Sequence, residues 1–387
     1  MSTFALFVPN PGDSQDSSGH IATRMIVAIA RKEYDTVVIF TNERFENSFE
    51  YHNVNLLKCN QPFLENELFI VRTLGLVVFQ LTLCWNLFTR RKEIDIAVFG
   101  GWTLLAPAIV CNIADITSVH RLAGNPLKSA TRGKPPESIN LKVKRTLASL
   151  VLKSFVNIVD IVAPIEMSLI GRIGLNRASL KVCRWNHYFM PRSNFDKSAV
   201  FDNRDIDIGF VGYLNYTKGA DKIIDAYECM VKEYPDMRIA LAGDGPLYDE
   251  FVSEHLPNIN VLGHVDRTNL NNLYNRMKIL LVPSRFEGFP KVIVEAGLCG
   301  TIPVVTNVGG IKDVIIHNEN GIVVDNYTSL CKCLLTVLSN GDLSSLSSKV
   351  YEHFDSKYRK LHAHDRFVRF LDCIHGEGKS ECVPADK

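Results

Sequence analysis

A chain of 387 residues with 46% hydrophobic and 22% charged residues has room for two or three globular domains with sizeable cores. Its 43 basic and 42 acidic residues nearly cancel. Proteins that neutralise many phosphates carry a surplus of Lys and Arg, so nucleic acid is not expected as a partner. Ten cysteines follow no framework spacing, and Cys331 and Cys333 lack the gap of a zinc knuckle or a thioredoxin-like site. They are expected to be reduced, mostly buried small hydrophobes in a reducing, cytoplasmic compartment.

The chain opens with Phe4–Val8, an apolar run with no basic residue before it and Pro9 after it, which reads as a strand rather than a signal peptide. In the first half, strands are expected at Thr3–Val8, Thr36–Phe40, Asp95–Phe99, Ile116–His120, Asp160–Pro164 and Leu180–Arg184. The clearest helices are His20–Arg31, Leu104–Ile113 and Leu141–Val156. Phe69–Phe88 is about as long as a membrane span but contains Arg72, Gln80 and Asn86. An arginine near a span's centre costs roughly 2.5–3.5 kcal/mol, so a buried helix is expected instead.

Asn186–Asp205 is polar, contains Pro191 and shows little periodicity, as a connection between domains would. A second alternating series follows. Its strands are Ile208–Val211, Arg238–Ala242, Asn260–Leu262, Ile279–Val282, Pro303–Thr306 and Gly321–Val324. Its helices are Ala220–Tyr234, Asn269–Met277 and Lys291–Cys299. Continuous apolar strands separated by helices predict an α/β protein with two doubly wound parallel sheets. Ligands of such sheets bind at the carboxyl ends of the strands. The expected division is 1–190, a linker at 191–205, 206–349, and a helix at 350–374 packing across the domain boundary. The tail after His375 is expected to be mobile.

The segment Pro283-Ser284-Arg285-Phe286-Glu287-Gly288-Phe289-Pro290-Lys291-Val292-Ile293-Val294-Glu295 carries the strongest chemical signal. A buried strand ends at Pro283, and Pro290 sits where a first helical turn begins. Unpaired N–H groups there suit a diphosphate. Gly288 removes a side chain where a phosphate must approach. A carboxylate at Glu295 can accept both hydroxyl protons of a ribose. The bland reading makes Glu287 a loop residue and Glu295 a solvated helix position.

This segment resembles the Glu-x7-Glu motif of glycosyltransferase family 4, and its surroundings match in order and spacing. Gly209-Phe210-Val211-Gly212-Tyr213-Leu214 with Thr217-Lys218-Gly219, Leu241-Ala242-Gly243-Asp244-Gly245-Pro246, Val261–Val265 and Pro303–Gly310 extend the resemblance over roughly Asp207–Asp325. The first half is similar more loosely, at the helix start by Gly19 and the strand end Val119-His120. The resemblance implies the GT-B architecture, two Rossmann-like doubly wound domains facing a central cleft. It also implies retaining transfer of a sugar from a UDP- or GDP-linked donor to a glycan or lipid-linked acceptor.

Position by position, the resemblance implies that Glu295 binds the donor ribose and Glu287 faces the transferred sugar. The backbone of Gly288, Phe289, Pro290 and Lys291 would cradle the diphosphate with Lys218. Gly19, Gly212 and Gly243 would line the donor site, and the main chain at His264 and Val265 would meet the nucleobase. His120 would lie near the sugar. Catalytic roles fall on His120, Glu287 and Lys218. The family usually has an arginine after the glycine matched by Gly212, where this chain has Tyr213. One cation is therefore missing or supplied elsewhere, Arg285 being the candidate. Arg121 is a second departure from the pattern, after His120. Asp205-Ile206-Asp207 looks like the metal-holding motif of the other major glycosyltransferase fold, yet at a strand start it reads as structural. No cofactor and no metal are expected.

Arg121–Lys153 carries a net +7 in a chain whose total is +1. Its helix either packs Leu147, Leu150, Val151 and Phe155 inward and shows its lysines to water, or forms a peripheral surface for an anionic membrane beside the acceptor. The expected location is cytoplasmic, peripheral at the inner face of the membrane. Alternative readings are a related phosphorylase- or epimerase-like enzyme and a catalytically weak nucleotide-sugar-binding subunit.

Overall fold

Runs such as Phe4–Phe7 and Ile279–Val282 are apolar at every position, so they suit only a sheet covered on both faces. All of these residues are buried. The computed structural model describes residues 2–8, 18–42, 51–59, 69–101, 103–122, 139–165, 167–175, 181–186, 188–253, 256–325, 327–339 and 342–375. In it, such runs build two six-stranded sheets.

The first sheet contains β1 (Thr3–Val8), β2 (Thr36–Asn42), β3 (Val54–Cys59), β4 (Ile96–Phe99), β5 (Thr117–Leu122) and β6 (Ile161–Pro164). The second contains β7 (Ile206–Val211), β8 (Ile239–Ala242), β9 (Ile259–Gly263), β10 (Met277–Val282), β11 (Ile302–Thr306) and β12 (Ile322–Val324). The orders are β3-β2-β1-β4-β5-β6 and β9-β8-β7-β10-β11-β12. All neighbouring strands pair in parallel. Counted from its own first strand, each sheet runs 3-2-1-4-5-6, the doubly wound order. The winding reverses between β1 and β4, and again between β7 and β10.

The chain divides into two compact units, Met1–Tyr188 with Ala363–Lys387, and Phe189–His362. In the first unit, α1 (Ser18–Ala30), α2 (Phe69–Thr89), α3 (Leu105–Ile113), α4 (Ile139–Ile158) and the short α5 (Ser168–Arg172) accompany the strands. The helices α2, α3 and α4 press Phe79, Cys111 and Phe155 onto the sheet residues Phe7, Phe40 and Phe99. Phe7 stacks on Phe40 at 4.5 Å and on Phe99 at 4.8 Å, and Phe155 meets Phe99 edge-on at 5.8 Å. Each buried phenylalanine contributes roughly 1.5–3 kcal/mol, and good ring pairs add about 0.5–1.5 kcal/mol.

The second unit adds α6 (Asp221–Met230), α7 (Tyr248–Ser253), α8 (Arg267–Arg276), α9 (Lys291–Gly297), α10 (Leu330–Ser339) and α11 (Leu343–Tyr358). A last helix, α12 (Lys360–His375), brings Phe367 to Phe4 at 5.8 Å and Phe370 to Trp185 at 4.7 Å.

Several expectations need correction. The helix at Phe69–Phe88 is not buried: α2 hides Phe79, Leu83 and Leu87 and exposes Leu74, Leu81, Trp85 and Phe88. Its uniform hydrophobicity concealed which face meets the sheet. Helix α4 buries Ala148, Leu152, Phe155 and Val156, while Leu147 and Leu150 face outward. The single helix expected near Val350–Ile374 is two, α11 and α12, because Arg359 takes an extended conformation with φ −86 and ψ 161. Residues 181–184 make only an isolated bridge, Val182 to Val162, and β3 had not been anticipated. The cysteines are not all reduced, since Cys229 of α6 and Cys331 of α10 form a disulfide. No helix among the described residues is long and apolar enough to cross a membrane. Residues 9–17, ahead of the helix start by Gly19, lie outside the described residues, as do 123–138, 176–180 and the tail after His375.

The segment expected as a linker, 191–205, carries buried Phe195, Phe201 and Arg204. Arg204 donates to the carbonyls of Met277 and Cys299, both at 2.6 Å, and to Thr301 Oγ1 at 3.1 Å.

Candidate functional site

The winding reversal between β7 and β10 separates the loops that follow these two strands, and the sequence motifs lie on both. After β7 the chain turns through Gly212 and Gly219. Gly219 has φ 72, and a Cβ there would overlap the carbonyl oxygen of Pro283 at the end of β10. Only glycine lets the two strand ends approach this closely. The turn is fixed by Lys218 N donating to Asn215 Oδ1 at 2.8 Å and by Arg285 N donating to the Thr217 carbonyl at 2.9 Å.

This docking brings Lys218 over the loop after β10. Its Nζ lies 2.6 Å from Glu287 Oε1. Glu287 is only 6% exposed and also accepts from Ser284 Oγ at 3.2 Å. The Ser284 carbonyl in turn accepts from Thr306 Oγ1 of β11 at 2.6 Å, tying the loop to the neighbouring strand. A Cβ built on Gly288 would meet no heavy atom within 4 Å, so the backbone there borders open space. Phe289 is half-buried with its ring 6.1 Å from that of Tyr358, Pro290 is buried, and Lys291 opens α9.

Glu295 is 4% exposed, so the bland reading of a solvated helix position does not hold. Tyr274 of α8 donates its hydroxyl to Glu295 Oε2 at 3.2 Å, and Arg267 Nη2 lies 3.5 Å from Oε1. Sequence reasoning missed both partners. They reach Glu295 through the packing of α8 on α9, which no local pattern announces.

The turn after β8 joins the same edge of the sheet. Gly243 has φ 147, and a Cβ on it would overlap the Gly212 carbonyl oxygen. Gly212 N donates to Ala242 O at 2.9 Å and Gly243 N to Gly263 O at 2.7 Å, so three glycine turns lie side by side at the carboxyl ends of β7, β8 and β9. Beyond them Val265 is half-buried, and the exposed His264 has its Nε2 3.7 Å from Asp266 Oδ1.

Arg285 does not offer a spare cation. It donates to both carboxylate oxygens of Asp221 at 2.6 Å and to the Tyr216 carbonyl at 2.6 Å, and its guanidinium lies 3.6 Å from the Tyr216 ring. Tyr213 is 55% exposed. Asp205 pairs with Arg276, Nε to Oδ1 at 2.9 Å, and Asp207 with Lys278 at 2.8 Å. Both carboxylates thus serve ion pairs at the start of β7. Among the described residues no group of three or more His, Cys, Asp or Glu is arranged to hold a metal ion.

In the first unit, His120 pairs with Phe99 in register and is 2% exposed. Its Nδ1–H donates to the Phe99 carbonyl at 3.4 Å, which leaves Nε2 as an acceptor with no partner among the described residues. Burial pushes its pKa down to about 4, with Arg121 adding to the shift, so the ring is neutral at pH 7. Gly19 lies in the first turn of α1.

Residues 191–353 match the family model of glycosyl transferases group 1. An uncharacterized glycosyltransferase of Methanocaldococcus jannaschii is 30% identical over 180 residues, 45% of this chain and 50% of that protein. A phosphatidylinositol N-acetylglucosaminyltransferase component of Arabidopsis thaliana is 25% identical over 213 residues, 49% of this chain and 47% of that one. The aligned part is thus about half the length of these curated relatives. Among solved structures, sucrose-phosphate synthase of Thermosynechococcus elongatus superposes with a TM-score of 0.73 at 16% identity, over 97% of this chain and 100% of that one. HepE of Anabaena in complex with UDP-glucose superposes with a TM-score of 0.64 at 17% identity, over 96% and 99%. These likenesses show the fold, which is GT-B.

Proposed function

We propose that the chain is a glycosyltransferase that moves a sugar from a UDP- or GDP-linked donor to a glycan or lipid-linked acceptor, with retention of configuration and without a metal ion. The observation that carries this reading is the Lys218–Glu287 pair at 2.6 Å. It bridges the loops of β7 and β10, where the winding reverses and doubly wound sheets take their ligands. Relatives named as glycosyltransferases, and a neighbour of the same fold in complex with UDP-glucose, support it.

In this reading Phe189–His362 holds the donor and the first unit serves the acceptor. An ammonium has three donors; one meets Glu287, leaving two for diphosphate oxygens in the open space beside Gly288. The backbone from Gly288 to Lys291 lines that space. Glu295, held in one orientation by Tyr274 and Arg267, accepts the ribose hydroxyls. The turns at Gly212 and Gly243 and the main chain at His264 and Val265 complete the donor side, and Glu287 faces the sugar. His120 keeps the role the resemblance implies, near the transferred sugar, and Gly19 keeps that of lining the donor site. The leaving diphosphate is stabilised by Lys218 through charge aimed at where charge develops. The enzyme would work at an anionic membrane, to which Arg121–Lys153 contributes positive charge.

The test is a thermal-shift screen of nucleotide sugars with a chelator present, followed by transfer assays. Ligand at about 100 times its Kd adds roughly 2.7 kcal/mol of stability, so the donor stands out. Charge-assisted hydrogen bonds contribute about 1.5–3 kcal/mol each, or roughly 10- to 150-fold. Lys218→Ala and Glu295→Ala should each lower kcat/KM by that factor while remaining folded. Normal turnover in either folded variant removes the donor-site assignment. Activity lost to the chelator and restored by metal removes the metal-independent mechanism.

One observation favours a second reading, a nucleotide-sugar-binding subunit with weak catalysis. Tyr213 brings no charge to the diphosphate, and Arg285 is committed to Asp221. A donor that stabilises the chain without hydrolysis or transfer would select that reading.

A further inference from the structure

The three helices on one side of the first sheet leave an apolar surface facing out. On α2, Leu74, Val77, Val78, Leu81, Trp85 and Phe88 are exposed. Their spacing of three and four residues places them in one stripe along the helix. Trp85 is 70% exposed, and no acidic residue occurs in α2. On α3, Ile109 and Ile113 are exposed, and on α4 so are Val143, Leu147 and Leu150, again at helical spacing.

The three stripes belong to one surface because the helices pack side by side. Gln80 Oε1 of α2 accepts from Ala106 N of α3 at 3.1 Å, and Asn112 Nδ2 of α3 donates to the Ile158 carbonyl of α4 at 3.3 Å. Exposed apolar residues scattered singly need no explanation, but a continuous set on adjacent helices marks a contact surface.

Charge decides the occupant. The apolar stripe of α4 is flanked by Lys142, Lys144 and Lys153, all exposed, and α4 contains no acid. At the far end of α2, Arg91 lies over the Phe88 ring at 4.2 Å and donates to the Phe88 carbonyl at 2.9 Å. Beside α4, Arg145, Thr146, Ser149 and Lys153 line an open groove of about 510 Å³ with Ile173. Two cations and two hydroxyls in such a groove suit a phosphate group. A second copy meeting this surface about a two-fold axis would bring cations against cations. Large apolar side chains bordered by Lys and Arg match the boundary between acyl chains and anionic headgroups.

We infer that this α2–α3–α4 face inserts into an anionic bilayer surface, with its apolar stripes among the acyl chains and a lipid phosphate in the groove beside α4. The inference deepens the membrane contact in the proposed function, whose basic segment alone would act only electrostatically. Vesicle binding is read with no donor or acceptor present. A chain that binds vesicles but transfers no sugar therefore fails the functional reading alone.

The experiment is co-sedimentation with phosphatidylglycerol–phosphatidylcholine vesicles and with phosphatidylcholine vesicles, at low and high salt. It is paired with quenching of tryptophan emission by bromine-labelled acyl chains. The parent protein should bind the anionic vesicles, keep part of that binding in high salt, and show quenching that Trp85→Phe removes. Leu81→Asp with Trp85→Asp, at exposed positions, should leave the circular dichroism unchanged and weaken binding about tenfold or more. Lys142→Glu with Lys144→Glu and Arg145→Glu should remove the anionic preference. No binding by the parent, binding without Trp85 quenching, or undiminished binding by the Leu81/Trp85 variant overturns the inference. So does a dimer in the absence of lipid that the same variant dissociates, which would assign the face to a second copy.

Discussion

His120 stays neutral at pH 7 because burial strips the water that would solvate an imidazolium. Its folded pKa of about 4 lies below the unfolded value near 6.5, so the unfolded chain binds the extra proton first. Its contribution to stability is therefore complete above pH 6.5 and is lost as pH falls through about 4. That amounts to about 3 kcal/mol over the window. His353, also pushed down to about 4 by burial, loses stability over the same range. Urea titrations from pH 7 to pH 4 should show His120→Gln with a shallower acid loss than the parent, whatever its stability at pH 7. Equal slopes would mean that acid destabilises the protein through other groups. The same scale shows what a sequence can and cannot reveal of a site. Glu287, Glu295 and Lys218 stood out as candidates because their spacing resembles a family motif, and the structure pairs Lys218 with Glu287. Tyr274 and Arg267, which hold Glu295, and Asp221, which occupies Arg285, did not stand out. Those contacts arise when separate elements pack, and nothing in the local sequence encodes them.

Strands in this chain were legible where an apolar run is buried on both faces, as in β1 and β10. The pattern fails at the sheet edge, where β3 contains Asn55 and Lys58 and, among the described residues, has only one neighbouring strand, β2. It fails again at the join of α11 and α12, since neither Pro nor Gly marks the break. There Arg359 does what a helix breaker would otherwise do. Its Nε donates to Asp355 at 2.6 Å, and its other two nitrogens reach the Phe195 carbonyl and Asp196, each at 2.7 Å. The Tyr358 carbonyl, freed at the end of α11, accepts from Met190 N at 2.7 Å. The guanidinium thus fastens the end of α11 to the segment 190–196. Arg359→Ala leaves a buried carbonyl and two carboxylates without this donor, and should cost about 2–4 kcal/mol by urea denaturation. Arg359→Lys cannot span three acceptors and should recover little of that. A loss below about 1 kcal/mol would show that the Met190–Tyr358 bond suffices to hold the break.

The chain as a whole distributes its reporters and its crosslink unevenly, and this makes the two units separately observable. All three tryptophans, Trp85, Trp102 and Trp185, fall in the unit Met1–Tyr188 with Ala363–Lys387. The Cys229–Cys331 disulfide lies wholly in Phe189–His362, joining α6 to α10 across a sequence separation of 102 residues. The doubly wound order was readable from alternating strands and helices, but this pairing was not, because two lone cysteines on distant helices carry no spacing signal. A crosslink closing so long a loop removes much of the freedom of the unfolded segment, typically about 2–4 kcal/mol. Because α6 follows directly on the Lys218-Gly219 turn, the crosslink also steadies the helix that leads from the proposed donor site. Cys331→Ser should therefore lower the midpoint of the circular-dichroism transition due to Phe189–His362. The tryptophan-emission transition, which reports the other unit, should stay at the parent's midpoint. A common shift of both signals by the same amount would show instead that the two units unfold as one cooperative block. No shift in either would show that the disulfide constrains nothing the helices do not already hold.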